Sequence, residues 1–305
     1  MKTSHDHVLT THAGSLPRPA GLLKLMRTKG AGQPYDEKEL NAEVKRAVDG
    51  IVRKQAEIGV DVVSDGEMPK PSFLHYIKER LGGVATTNEP LGSYIQDSRE
   101  VKTFPEYYAE EAARNPMPPF KRVVCNGPLT YQGQAKVQAD IALFKAALGK
   151  VSVAEGFLPA ISPSNVAFWI RNEYYDSEDE YLFALADAMH EEYKAIADAG
   201  LVVQIDDPRL VTQYNLDPSL SLQSYRKWAE TRVAALNHSL RDIPERLIRF
   251  HTCYSIECGP RTTDLELKDV VDIMRQDSAG VVAQGGVLQP ADRELCVTAR
   301  RRVRE

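Results

Sequence analysis

One arrangement recurs along this chain: an amphipathic helix, a glycine, a short apolar strand and an acidic turn. It is clearest at 56–67, where the sequence is AEIGVDVVSDGE, and it returns at 197–208 as ADAGLVVQIDDP. In both copies an apolar period of about 3.6 residues gives way at the glycine to a run of apolar, mostly β-branched residues. Helices that alternate with strands in this way predict a parallel sheet of the α/β class.

The helices of the two copies have recognisable ends. In the first, apolar residues recur at helical spacing from Leu40 to Ile58, with Asp36 as a suitable N-cap and Gly59 as a stop. In the second, the apolar positions lie between 181 and 196, and Gly200 ends the helix. The sequence therefore predicts two long helices, each packed by one face against the sheet.

Further segments are typical of strands in the same sheet. They are 8–11, 122–125, 247–250 and a poorer one at 281–288. Each of the better strands leads into polar residues, at the end where α/β folds place their active sites. A closed TIM-type (β/α)8 barrel explains several such ends facing one centre better than an open sheet does. The region 81–121 is rich in glycine and proline and is predicted to be a loop excursion.

The composition excludes several classes of protein. The 38 basic and 43 acidic residues give a net charge of −5, which provides no electrostatic footprint for nucleic acid. No apolar run approaches the roughly 18–20 residues that cross a bilayer, and Met1–His12 carries no signal-peptide core. Four scattered cysteines are too few for a disulfide framework. We expect a cytoplasmic protein with reduced thiols, and neither a membrane nor a nucleic acid as partner. The cysteines are Cys125, Cys253, Cys258 and Cys296.

The pair His251-x-Cys253 is a candidate metal site. Residues two apart in a strand point to the same side, so both side chains could reach one ion. Imidazole nitrogen and thiolate sulfur suit Zn²⁺. The alternative is a buried cysteine beside a capping histidine. Cys258 is a further candidate ligand, although its position in a polar stretch favours a loop thiol.

Two carboxylates occupy matching positions in the repeated arrangement. Glu67 and Asp206 both follow strands, and in a barrel both would point into one mouth. There they could hold an ammonium group or act as acid and base. Helix capping, or a salt bridge to a neighbour such as Lys70 or Arg209, is the alternative.

The N-terminal motif HAGSLPRP and one tryptophan complete the candidates. Gly14 permits close backbone approach, and Ser15 offers a hydroxyl and an N–H to a carboxylate; a tight turn is the alternative. Trp169 could stack on a flat heterocycle or belong to the core.

Five segments taken in order carry a family resemblance. They are THAGSLPRP, GVDVVSDGE, NGPLTYQG, VVQIDDPRL and RFHTCYS, within roughly residues 7–274. In this order they resemble the C-terminal catalytic barrel of cobalamin-independent methionine synthase, and most of all its shorter single-barrel members. The resemblance implies zinc-dependent methyl transfer from a methyltetrahydrofolate-type donor to the thiol of homocysteine, without cobalamin.

The resemblance also implies roles for individual residues. Gly14 and Ser15 would hold the substrate carboxylate, while Glu67 and Asp206 would bind its amino group. His251 and Cys253 would ligate zinc. Trp169 would lie where the family places a folate-stacking tryptophan.

The chain departs from the family pattern after Met274. The family has two more zinc ligands, a glutamate at the end of the next strand and a cysteine at the end of the last. Gln284 lies near the expected glutamate, and Cys296 comes too early for the cysteine. We therefore expect one domain over 1–305, with an incomplete barrel and an atypical segment at 275–305 that reflects a truncated or mis-spliced reading of a longer gene. The missing strands would leave an exposed edge that a homo-oligomer could cover.

Three functions remain open at this point. The first is the homocysteine methyltransferase, and the second is a related zinc–thiol alkyltransferase with another donor or acceptor. The third is a degenerate barrel that binds a thiol or a partner without turnover, which the two missing ligands favour.

Overall fold

The computed structural model describes residues 2, 4, 6–72, 75–114, 120–254, 260, 262–274 and 280–285, with residues 254 and 280–285 as backbone. Within this part of the chain the strands are β1 Val62–Ser64, β2 Leu81–Pro90, β3 Lys121–Tyr131, β4 Glu155–Ile161, β5 Ile170–Asn172, β6 Val202–Asp206, β7 Ile248–Tyr254 and β8 Gly280–Gly285. The α-helices are α1 Ala20–Gly30, α2 Glu37–Glu57, α3 Arg99–Thr103, α4 Pro105–Arg114, α5 Gln134–Leu148, α6 Pro163–Trp169, α7 Glu178–Asp198, α8 Pro208–Leu216, α9 Leu222–Ser239 and α10 Val271–Met274. Short 3₁₀ helices lie at Ile77–Glu79, Glu245–Leu247 and Leu267–Asp269.

The main sheet is parallel, in the order β1-β4-β6-β7-β8. Helices α2, α5, α7 and α9 pack around it, so the α/β class is confirmed. In the described residues the sheet does not close into a barrel: β8 ends it on one side, and beyond β1 there is only a bridge between Thr11 and Val62.

The two long helices form where their apolar spacing predicts. The side chain of Asp36 caps α2 by accepting from the N–H groups of Lys38 and Glu39, at 2.8 and 3.1 Å. Gly59 and Gly200 follow α2 and α7 with φ of 83° and 79°, the left-handed conformation that glycine adopts without strain. Burying each Leu or Val on these helices contributes roughly 1.5–3 kcal/mol, which fixes both helices on the sheet.

Strand β4 lies inside the main sheet, between β1 and β6, although the sequence did not predict it. Its sequence, EGFLPAI, contains Gly156 and Pro159, two residues that weaken a strand prediction. Tight packing explains the glycine, because a Cβ at Gly156 would lie 2.6 Å from a methyl carbon of Leu148. The carbonyl of Pro159 accepts a hydrogen bond from the ammonium group of Lys70.

A second sheet corrects three predictions. Residues 122–125 belong to β3, which pairs antiparallel with β2 and parallel with β5, so they are not a strand of the main sheet. The segment 126–130 is the continuation of β3 rather than a polar exit, because its backbone pairs with the start of β2. The region 81–121, predicted as loop, contains β2, α3 and α4.

The remaining strand predictions hold in part. The predicted strand at 8–11 is reduced to the bridge at Thr11. The strand predicted to end at 250 continues as β7 to Tyr254, so His251 and Cys253 lie inside it. The poor candidate at 281–288 is β8 over Gly280–Gly285. Among the described residues, no helix combines the length and the apolar character needed to span a bilayer.

Candidate active site

The carboxyl ends of three neighbouring strands bring the candidate residues together. In the pairing register Ile161 of β4 lies beside Asp206 of β6, and Asp206 lies beside His251 of β7. Two residues further along β7, the backbone of Cys253 pairs with that of Gln284 in β8. Because the strands are parallel, these positions share one edge of the sheet.

Asp206 and His251 form a buried pair at the centre of this edge. Their exposed fractions are 5% and 6%, and Oδ1 of Asp206 lies 2.6 Å from Nδ1 of His251. The same Oδ1 accepts a 2.7 Å hydrogen bond from Nε2 of Gln204. A carboxylate oxygen in this position accepts, so the hydrogen of the neutral imidazole lies on Nδ1 and the lone pair lies on Nε2.

The other nitrogen of His251 lacks a partner. Nε2 is buried and has no hydrogen-bond partner among the described residues. A buried polar atom without a partner is unfavourable by about 1–3 kcal/mol, and such atoms are rare in folded proteins. Cys253 is a half-buried thiol two residues further along the same strand. The orphaned nitrogen and the sulfur are a donor set that suits zinc.

Gln204 and Arg249 orient the carboxylate of Asp206. They lie in β6 and β7, two residues before Asp206 and His251 respectively. Nε of Arg249 donates to Oε1 of Gln204 at 2.8 Å, and Nη2 donates to the same oxygen. Because an arginine can only donate, the amide oxygen must face Arg249 and the amide nitrogen must face Asp206. Nη1 of Arg249 also reaches Oγ of Thr11 at 3.1 Å. A continuous hydrogen-bonded chain therefore runs from Arg249 through Gln204 and Asp206 to His251.

Glu67 follows β1 in a strained turn. Its φ is 57°, a left-handed value that is uncommon for a residue other than glycine. The turn is held by Asp65, whose Oδ1 accepts the N–H of Glu67 at 2.9 Å. Burial and the nearby charge of Asp206 raise the pKa of the Glu67 carboxyl. Glu67 and Asp206 are therefore close enough to interact electrostatically.

The N-terminal motif packs against this turn. Oγ of Ser15 donates to Oε2 of Glu67 at 2.5 Å, and the guanidinium of Arg18 donates to the carbonyls of Glu67 and Lys70 at 2.8 and 2.6 Å. Gly14 has a φ of 83°, and a Cβ there would meet no described atom within 4 Å. The backbone at Gly14 is therefore open to a ligand.

Asp65 is a buried acid that the sequence did not single out. It is 1% exposed, and its Oδ2 has no hydrogen-bond partner among the described residues. Burial raises its pKa to about 6, although the nearby Lys70 and the N–H of Glu67 act in the opposite direction. Its position in the run Ser-Asp-Gly-Glu is the only sequence signal that could have identified it.

Trp169 ends α6 within an aromatic cluster. Its ring lies edge-on to Tyr94 and Phe168, with centroids 5.1 and 5.2 Å apart, and it is half-buried. The cluster includes the guanidinium of Arg209, which lies 3.2 Å from the centroid of the Phe168 ring. Both sequence alternatives, stacking on a ligand and packing in the core, are compatible with this position.

The described residues contain no group of three or more His, Cys, Asp and Glu side chains arranged to hold a metal ion. His251 and Cys253 are two side chains of metal-ligand type, fewer than the four that a tetrahedral zinc site has. The strand beside them, β8, has the sequence GVVAQG, which offers no further ligand of these types. Cys258 and Cys296, weighed as further thiols, lie outside the described residues.

Comparison with known proteins identifies a family that the chain matches over most of its length. The family model for the catalytic domain of cobalamin-independent synthase matches residues 8–284. A methionine synthase from Sulfurisphaera tokodaii is 28% identical over 80% of this chain and 61% of its own length. A 5-methyltetrahydropteroyltriglutamate–homocysteine methyltransferase from Thermotoga petrophila is 28% identical over 81% of this chain and 30% of its own length.

Solved structures show the same fold. A B12-independent methionine synthase from a Shewanella species, in complex with selenomethionine, has a TM-score of 0.57 and 21% identity, over 81% of this chain and 61% of that one. A putative vitamin-B12-independent methionine synthase from Listeria monocytogenes has a TM-score of 0.56 and 22% identity, over 80% and 66%. This chain spans less than two thirds of the length of these relatives. From the family match, the chain belongs to the cobalamin-independent synthase catalytic domain family.

Proposed function

We propose that this chain is a zinc-dependent methyltransferase that moves a methyl group from a methyltetrahydrofolate-type donor to the thiol of homocysteine, giving methionine. The observation that carries the proposal is the orphaned Nε2 of His251, whose ring is fixed through Nδ1 by Asp206. The family match and the names of the relatives support the choice of reaction.

His251 and Cys253 would hold the zinc ion, with nitrogen and sulfur donors on one side of β7. A zinc ion there would lower the pKa of a substrate thiol and make it a better nucleophile at neutral pH. In the overall reaction a sulfur–methyl bond forms and a nitrogen–methyl bond breaks. The proton lost by the thiol is balanced by the proton gained by the donor nitrogen.

The acidic pair would bind the substrate amino group. Asp206 contributes to the raised pKa of Glu67, so an ammonium group beside the two would offset their repulsion. Gly14 and Ser15 would receive the substrate carboxylate, since the backbone is open at Gly14 and the Ser15 hydroxyl lies against Glu67. Trp169 would supply a ring face for a flat methyl donor. These contacts would fix the thiol relative to the donor, which is the main contribution of positioning to a transfer reaction.

The proposal is tested by metal retention followed by methyl transfer. Wild-type protein dialysed without chelator should keep about one zinc per chain, and His251→Ala should lose it because a ligand is gone. His190→Ala is the matched control, since Nδ1 of His190 contacts the carbonyl of Ser239 at 3.0 Å, away from the strand ends. Labelled methyl should pass from methyltetrahydrofolate to homocysteine only in the zinc-bound protein. Wild-type protein without zinc, or zinc loss equal in both variants, would contradict the proposal.

A second candidate is a thiol-binding barrel without turnover, or one that uses another methyl donor. The sequence of β8, which adds no ligand beside Cys253, favours it. Homocysteine binding without methyl transfer from any donor offered would select the first form. Transfer from a donor other than methyltetrahydrofolate would select the second.

A further inference from the structure

The turn that carries Glu67 contains two consecutive residues in the left-handed conformation. Gly66 has a φ of 64° and Glu67 a φ of 57°, and the N–H of Met68 reaches the carbonyl of Asp65 at 3.3 Å. Two positive φ values inside a four-residue turn are characteristic of the type I′ turn, whose second central residue is most often glycine. Glutamate is an unusual residue at that position.

Asp242 is the other non-glycine residue with a positive φ among the described residues, at 61°, and it differs from Glu67 in two ways. Asp242 is exposed between α9 and the next 3₁₀ helix, whereas Glu67 is 2% exposed. Aspartate also adopts the left-handed conformation more readily than glutamate, because its short side chain can hydrogen-bond locally. The strain at Glu67 therefore lies in a buried site, where backbone outliers are typical of functional residues.

Both backbone polar groups of Glu67 are held by charged side chains. Oδ1 of Asp65 accepts its N–H at 2.9 Å, and Nη2 of Arg18 donates to its carbonyl at 2.8 Å. Asp65 is 1% exposed, and its pKa of about 6 leaves it ionised at neutral pH. Hydrogen bonds to ionised groups are stronger than those between neutral groups. The two side chains therefore fix the peptide groups on either side of the Glu67 Cα.

The residue before Glu67 is fixed by packing instead. A Cβ at Gly66 would lie 3.2 Å from a side-chain carbon of Ile51 and 3.3 Å from one of Leu16, and the N–H of Leu16 donates to the Gly66 carbonyl at 3.1 Å. The direction of the Glu67 side chain follows from its backbone conformation, and it brings the carboxyl within electrostatic range of Asp206. With the opposite sign of φ, the same side chain would leave the backbone in another direction.

We propose that Asp65 and Arg18 are positioning residues, which hold Glu67 in the left-handed conformation and thereby direct its carboxyl at the ammonium group of the substrate. In this role neither residue touches the substrate, because each acts through the backbone of Glu67. The identity of the ligand rests on the proposed function, whereas the hold on the backbone does not.

The first measurement needs no ligand. Hydrogen exchange followed by NMR gives the protection of the Glu67 amide, taken relative to the amide of Val203 in β6 so that global unfolding cancels. Asp65→Ala should lower this relative protection at least about tenfold, because the acceptor of the N–H is lost, whereas Asp65→Asn should stay within about threefold of wild type. Asp140→Ala is the matched control, because this acid is also largely buried but pairs with Arg80, and it should leave the ratio unchanged.

The second measurement compares homocysteine with 4-mercaptobutyrate, which has the same thiol and carboxylate but no amino group. In titration calorimetry wild-type protein should prefer homocysteine by at least about tenfold, because its ammonium group meets a carboxylate. Asp65→Ala and Arg18→Met should reduce this preference to about threefold or less, since a misdirected carboxyl no longer meets that group. Asp65→Asn should restore the preference, and Asp140→Ala should keep it.

Three results would overturn the proposal. The first is an Asp65→Ala protein in which the relative protection of the Glu67 amide is unchanged. The second is an Asp65→Asn protein that loses as much protection as Asp65→Ala, and the third is a preference for homocysteine that persists in both Asp65→Ala and Arg18→Met. Wild-type protein that binds the two thiols equally would contradict the ammonium contact of the proposed function, and the exchange measurement would still decide whether Asp65 holds the backbone.

Discussion

Oδ1 of Asp206 lies 2.6 Å from Nδ1 of His251, and this contact connects the residue proposed to bind the substrate with the residue proposed to bind the metal. Oδ1 is occupied by the imidazole and by Gln204, which leaves the other oxygen available for a substrate ammonium group. Under the proposed function, the metal-binding and substrate-binding parts of the site would therefore be coupled through this one side chain.

Replacing Asp206 should therefore weaken zinc binding as well as substrate binding. Asp206→Asn can turn its amide nitrogen toward His251, which disfavours the Nδ1–H tautomer. Outer contacts of this kind typically change metal affinity by about 10–100-fold. Competition with a chelator measures the zinc affinity. Asp187→Asn is the control, because it changes a surface histidine–aspartate pair, with His238 at 2.8 Å. Equal zinc affinity in wild type and Asp206→Asn would contradict this role.

Gln204 should stabilise the fold as well as the site. Gln204→Leu leaves Nε and Nη2 of Arg249 unpaired and removes one donor from Asp206. We expect the free energy of unfolding in urea to fall by about 2–4 kcal/mol. Gln138→Leu, an exposed position on α5, should change it by less than about 0.5 kcal/mol. A similar small change for both variants would show that the Arg249–Gln204 contact does not matter for stability.

The sequence predicts where the residues of this site lie, at the ends of strands, but not which hydrogen bonds they make. Glu67 and Asp206 occupy equivalent points in the recurring arrangement, so their shared location follows from the sequence alone. The hydrogen bonds that define the chemistry of these two residues do not follow from the sequence alone. Ser15 and Glu67 are 52 residues apart, and Gln204 and Arg249 are 45 residues apart. Contacts at such separations depend on strand order, which local patterns do not contain.

The fold was predictable to a similar extent. Capping by Asp36 and the left-handed glycines are local effects, and they set α2 and α7 where expected. Strand β4 was missed because Gly156 is required by packing against Leu148, from a helix that sequence spacing does not place there. The second sheet was missed because the partner of β3 is β2, which lies in the region 81–121 that was predicted as loop.

The pH dependence of stability should report on Asp65. Burial raises its pKa from 3.8 to about 6, so the folded protein binds more protons than the unfolded chain between these values. Stability contributed by its protonated form is therefore present below pH 4 and is lost as pH rises toward 6. Asp65→Asn should flatten this part of the profile, by an amount on the order of 3 kcal/mol at most. The amide oxygen can still accept the N–H of Glu67.

Asp61 supplies the opposite control for that measurement. Hydrogen bonds from Thr10 and His7 lower its pKa to about 2, so its contribution is present above pH 4 and is lost as pH falls toward 2. Asp61→Asn should change only this more acidic range. An unchanged profile between pH 4 and 6 in Asp65→Asn would contradict the burial of a charged group at that position.

Ser15 should affect substrate binding more than stability. Ser15→Ala removes the 2.5 Å hydrogen bond to Glu67, which opposes the upward shift of the Glu67 pKa. Homocysteine binding should weaken by about 5–10-fold at neutral pH, consistent with the loss of one hydrogen bond to a charged group. Titration calorimetry measures it, with Ser224→Ala on the exposed start of α9 as control. Unchanged homocysteine affinity in Ser15→Ala would exclude Ser15 from the site.

We propose that His251 and Cys253 bind one metal ion, and the spectrum of the cobalt-substituted protein tests this proposal. Cobalt(II) bound by a thiolate gives a sulfur-to-metal charge-transfer band in the near ultraviolet. We expect this band in wild-type protein and in the control variant Cys125→Ser, since the Cys125 thiol is buried and contacts the carbonyl of Gly127. The band should be lost in Cys253→Ser. A band that persists in Cys253→Ser, or no band in wild-type protein, would contradict this proposal.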